Sequence, residues 1–114
     1  MYYIFVVTLE DCPYSLSSLE LLNSYKIKYK NLNVSRVDKE KYKTDEINTF
    51  PQIYLKKTPS NDSLLLGGYS NLKEFVDTFI NKKYSESNID TFQKKYQLWT
   101  KKPILRLIEI INKK

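Results

Sequence analysis

The chain has 114 residues, enough for one domain with a single modest core, and its 41% hydrophobic and 28% charged content excludes an intrinsically disordered chain. It has no histidine and one cysteine, which excludes a Ser-His-Asp triad, a Cys-His dyad, a His-ligated metal, an internal disulfide and a multi-cysteine metal site within one copy. The net charge of +6 is moderate, no apolar run approaches the ~20 residues of a membrane helix, and the apolar start lacks the flanks of a signal peptide; the expected location is a reducing compartment, the cytoplasm.

Residues Tyr2–Thr8 read YYIFVVT, a continuous apolar and β-branched run of the kind that forms a buried central strand. Pro13 suits the first position of a helix, where its missing N–H costs nothing. Leu16, Leu19 and Leu22 then recur at helical spacing up to about Tyr25, so Cys12 falls at or next to the helix N-cap. Ile27–Val34 alternates and predicts a second strand, reached through that helix and therefore parallel to the first. The charged stretch Asp38–Asn48 predicts a helix with Tyr42 and Ile47 facing inward. Gln52–Lys57 predicts a third strand, and Leu64–Leu66 a short fourth, joined to the third as an antiparallel hairpin. Gly67-Gly68 ends it, and Ser70 or Asn71 is expected to cap a helix carrying Leu72, Phe75, Val76 and Phe79 on one face. The order describes a small α/β domain with a mixed sheet.

Beyond it, Ile89, Phe92, Tyr96 and Trp99 form one stripe, and after Pro103, Ile104, Leu107, Ile108 and Ile111 form another. These predict two short amphipathic helices that extend the domain's core; the sharper alternative is a docking surface for a second copy or a partner. Residues 84–114 carry seven Lys and Arg against three acids. That density is ordinary for a solvated helix face, and with Arg36 and Arg106 the only arginines, nucleic acid is not an expected partner.

Cys12 is set apart by its place. A thiolate at a helix N-terminus meets free backbone N–H groups and the positive end of the helix dipole, which lower its pKa. Tyr14 and Ser15 are the expected N–H donors, the Ser15 hydroxyl an additional one, while the Glu10 and Asp11 carboxylates would act in the opposite sense if they lay within ~6 Å.

Cys12-Pro13-Tyr14-Ser15 after an apolar strand, Thr49-Phe50-Pro51 before a third strand, and Gly67-Gly68-Tyr69-Ser70-Asn71-Leu72 opening a helix together resemble the glutaredoxin family. The resemblance implies a thioredoxin-like fold: a four-stranded mixed sheet flanked by helices over residues 1–83, with 84–114 as a basic helical C-terminal extension. It implies that Cys12 is the nucleophile and that Pro51 follows a cis peptide facing it. It also implies glutathione as co-substrate, contacted by Tyr14, Thr49, Phe50, Pro51, Gln52, Gly68, Ser70 and Asn71, with no metal ligated by the chain alone. Two positions depart from the family's pattern. Leu9 stands where a lysine is common, and Asn71 where an acid is common; Lys56 is the candidate substitute cation. Ser15 replaces the second cysteine of dithiol members.

The implied activity is that of a monothiol glutathione-dependent oxidoreductase acting on protein–glutathione mixed disulfides, with glutathione and glutathionylated proteins as partners of a monomer. Two alternatives stand beside it: a dimer carrying an iron–sulfur cluster on paired Cys12 and glutathione thiolates, and a redox-inactive binding module docking through Phe92, Tyr96 and Trp99.

Overall fold

A computed structural model describes residues 1–80 and 85–113. Strand β1 (Tyr2–Leu9) lies inside a four-stranded sheet, flanked by β2 (Lys30–Val34) and β3 (Gln52–Lys57), with β4 (Ser63–Gly67) outermost beside β3. β2 runs parallel to β1, whereas β3 and β4 pair antiparallel to their neighbours. This is a mixed sheet with helices against it, the thioredoxin-like arrangement. The order arises because the apolar run of β1 can be buried on both faces, while β2, with Lys30, Asn31 and Asn33 exposed, tolerates an edge.

One sheet face carries the main core. Ile4 and Val6 of β1 sit beside Leu55 and Ile53 of β3, and all four are buried. Helices α1 (Pro13–Ser24), α2 (Tyr69–Phe79), α3 (Glu86–Lys95) and α4 (Lys101–Asn112) contribute to the same apolar cluster through Leu22, Phe75, Phe92 and Ile108 among others. Phe75, Phe79 and Phe92 meet edge-on or tilted, with ring centroids 4.6–6.3 Å apart, a geometry that aligns ring edges with ring faces. Trp99 follows α3, is buried, and donates its indole N–H to the Leu65 carbonyl at 3.1 Å. The second half of the chain therefore shares its core with the sheet. The expected division between residues 83 and 84 lies outside the described residues.

Three local expectations differ from the structure. The second strand is shorter than Ile27–Val34: Ile27 is buried but precedes β2, and Leu32 is exposed. The predicted helix over 38–48 is only a 3-10 turn at Lys39–Tyr42 with no buried residue. A charged stretch with two apolar residues offers too little surface to hold a longer helix against the sheet. Elsewhere on the sheet, lysine stems lie across aromatic rings, with Lys30 Nζ 4.5 Å from the Tyr3 centroid and Lys56 Nζ 4.3 Å from that of Phe5. Finally, the cap of α2 is Gly68 rather than Ser70 or Asn71.

Candidate active site

The parallel pairing of β1 with β2 ends at Leu9 opposite Val34, so the segments that follow both strands emerge side by side. Asp11, at φ 56°, turns the chain back, and Cys12 takes the N-cap of α1 with Pro13 at the first helical position. The helix starts here because Pro13 lacks only an N–H that no helical carbonyl would have bonded, and the Cys12 carbonyl accepts the first helical bond from Leu16 at 3.1 Å.

Cys12 is partly exposed. Its partial burial pushes the thiol pKa up, but the Ser15 hydroxyl, the backbone N–H groups of Ser15 and Tyr14, and the charge of Arg36 act together in the other direction and hold it below the ordinary thiol value. Ser15 is buried, and its Oγ also accepts the Leu9 N–H at 3.0 Å, which locks the hydroxyl toward the sulfur.

Arg36 is the residue that sequence reasoning missed. Its guanidinium donates to the Asp11 carbonyl at 3.0 Å. The parallel register carries the signal: Arg36 follows β2 by two positions as Asp11 follows β1 by two.

Opposite the sulfur lies the proline loop. The Phe50–Pro51 peptide is cis, and Cys12 Sγ is 3.8 Å from the Phe50 carbonyl oxygen. Pro51 is buried and Thr49 is exposed. Gly68 lies beside Pro51, close enough that a β-carbon on it would sit 3.6 Å from the Pro51 carbonyl oxygen. Tyr14, 65% exposed, leans toward Tyr69 with centroids 6.2 Å apart. The starts of α1 and α2 and the proline loop thus converge around one thiol. The backbone N–H groups of Ser70 and Asn71 belong to the first turn of α2, where helical geometry leaves them without helical partners.

Two of the singled-out polar side chains are engaged internally. The buried Gln52 donates to the Tyr42 carbonyl at 2.8 Å and accepts from the Tyr54 hydroxyl at 3.0 Å. The Asn71 amide accepts from Gly68 N–H at 3.1 Å and donates to the Tyr96 hydroxyl at 2.7 Å. Lys56 is excluded as the substitute cation. It pairs with Tyr3, six residues before Leu9 on β1, which places it roughly 20 Å away along the strand. Among the described residues no group of three or more His, Cys, Asp or Glu side chains is placed to hold a metal ion, and no helix is long and apolar enough to cross a membrane.

A thioredoxin-like sheet with a thiol of lowered pKa at the first helix cap, faced by a cis-proline loop, has the construction of a thiol–disulfide oxidoreductase-like protein. Residues 4–58 match the glutaredoxin family model. The match contains the Cys12 and Pro51 motifs and stops short of Gly67-Gly68 and the C-terminal helices. No curated protein matches the chain.

Proposed function

We propose that the protein is a monothiol glutathione-dependent oxidoreductase of a reducing compartment such as the cytoplasm, working as a monomer on protein–glutathione mixed disulfides. The observation that carries this reading is the partly exposed Cys12 sulfur, its pKa lowered by the Ser15 hydroxyl and the first N–H groups of α1, within 3.8 Å of the Phe50 carbonyl. The Cys12 thiolate attacks the glutathione sulfur of the mixed disulfide. The S–S bond breaks, its electron pair leaves with the protein sulfur, and that sulfur takes a proton from water. A second glutathione thiolate then attacks the sulfur attached to Cys12, releasing oxidised glutathione and restoring the thiolate; in the balance one glutathione thiol is consumed for each protein thiol released, and the disulfide passes from the protein–glutathione pair to the glutathione–glutathione pair. The proline loop and the start of α2 would cradle the tripeptide, with the γ-glutamyl carboxylate on the N–H groups of Ser70 and Asn71.

A second reading has its own support. Leu9 supplies no charge, and the side chains of Gln52 and Asn71 are already paired, which favours a redox-inactive module. The expected docking through Phe92, Tyr96 and Trp99 is corrected by the structure, because Phe92 and Trp99 are buried in the core and only Tyr96 is left partly exposed. Mass spectrometry after treatment with oxidised glutathione separates the two. The enzyme reading expects one glutathione on Cys12, removed by reduced glutathione, with turnover abolished by Cys12→Ala and mostly kept by Ser15→Ala. Turnover that survives Cys12→Ala overturns it, and an unreactive thiol supports the module.

A further inference from the structure

On the side of Cys12 away from the proline loop, a cleft of about 650 Å³ opens between α1 and the ends of β1 and β2. Phe50, Pro51 and Gly68 do not line it. Its walls include Leu9, Leu16 and Leu19, and its charged groups are Glu10 and Asp11. Leu16 stands 60% exposed in the first turn of α1, directly after the Cys12 motif, and both acids are exposed. Arg36 is the nearby cation, but its guanidinium is tied to the Asp11 main-chain oxygen. An apolar cleft edged by two carboxylates is unusual ground on a chain whose net charge is +6.

Resting on the reaction proposed above, we infer that this cleft receives the polypeptide half of the mixed disulfide and selects cysteines flanked by a basic and a large aliphatic residue. The exchange brings three sulfurs together at Cys12. In an in-line exchange the leaving sulfur lies beyond that of glutathione as seen from Cys12, so it is the residues flanking the substrate cysteine, rather than its sulfur, that reach the α1 side. There a flanking aliphatic chain covers Leu16 and Leu19, and a flanking lysine or arginine meets Glu10 and Asp11.

The test compares glutathionylated peptides that differ only beside the cysteine, with Lys and Leu, Glu and Leu, or Lys and Ser as flanks, and reads kcat/KM for release of the peptide thiol. The Lys-Leu peptide is expected to be turned over about two- to fivefold faster than either of the other two, with the charge preference shrinking at high salt. Glu10→Gln with Asp11→Asn should remove the charge preference, and Leu16→Ser the aliphatic one, while turnover of the cysteine–glutathione mixed disulfide stays unchanged. Asn tolerates the positive φ of Asp11, so the double variant keeps its backbone. Equal turnover of the three peptides, or a preference that persists in the variants, overturns the assignment of the cleft alone. Absence of turnover even on cysteine–glutathione disulfide overturns the reaction and this inference together.

Discussion

Asn71 and Tyr96 are joined by a 2.7 Å hydrogen bond from the Asn71 amide nitrogen to the tyrosine hydroxyl oxygen. The bond ties the residue after α3 to the first turn of α2, beside the Pro51 loop. The same Asn71 side chain accepts the Gly68 N–H, so one amide both bonds back to the N-cap of α2 and anchors the C-terminal half.

Tyr96→Phe should therefore lower stability by about 1 kcal/mol, the ordinary net worth of one hydrogen bond. Asn71→Ala should cost more, because it also removes the bond that the Asn71 side chain makes back to the Gly68 N–H at the N-cap. A double-mutant cycle in urea checks the pair: the Tyr96 effect should nearly vanish in the Asn71→Ala background. Additive effects would show that the two residues act independently.

Gly67 has φ 136°, and a β-carbon there would collide with the Asn71 side chain. Gly67→Ala combines a backbone conformation that side chains rarely adopt with displacement of the Asn71 side chain from the Gly68 N–H, and should cost about 1–3 kcal/mol. Gly68→Ala, whose added carbon finds ordinary van der Waals distance, should cost clearly less. Thermal melts of the two variants give the comparison directly.

Trp99 is the only tryptophan and is buried against β4. Its fluorescence reports on the C-terminal half, whereas far-ultraviolet circular dichroism reports on the whole chain. Because α3 and α4 share the sheet's core, the two signals should give one coincident unfolding transition. Trp99→Phe removes the N–H that pairs with the Leu65 carbonyl and should lower the midpoint of that transition, with a cost of about 1–3 kcal/mol. An earlier fluorescence transition would mean that the helices detach on their own.

The ultraviolet absorbance of the thiolate titrates Cys12. Its midpoint should lie below the unperturbed value of ~8.5, rise in Ser15→Ala, and rise less in Arg36→Gln, following the order in which these groups act. A thiol with a depressed native pKa favours the folded state above its unfolded pKa. That contribution is lost as pH falls through the native value, so the wild type should lose stability relative to Cys12→Ala on going from pH ~9 to pH ~6. A midpoint that Ser15→Ala leaves in place would remove the serine from the site.

The sheet is largely readable from the residues because its signals are local. The YYIFVVT run, the Pro13 helix start and the leucine spacing each need only their own neighbours. The 38–48 segment is the exception: its composition permits a helix, while the decision belongs to tertiary packing, which two apolar residues do not supply. The site is readable in part. Cys12 and Pro51 announce themselves by motif, but Arg36 reaches the thiol only through strand register. The engagement of Gln52 with Tyr42 and Tyr54, and of Asn71 with Tyr96, depends on side-chain directions that spacing does not encode. For Asn71 the partner lies 25 positions away, in a segment that no motif links to the thiol.

Ser15, with its hydroxyl held between the Leu9 N–H and the Cys12 sulfur, leaves the chain without any internal thiol to relieve an oxidised Cys12. A disulfide formed by Cys12 of this chain would join it to a cysteine outside these 114 residues. On the proposed reaction, the decay of such an adduct would be second-order in character, set by how much free thiol surrounds the chain, and its lifetime would lengthen whenever that supply ran down.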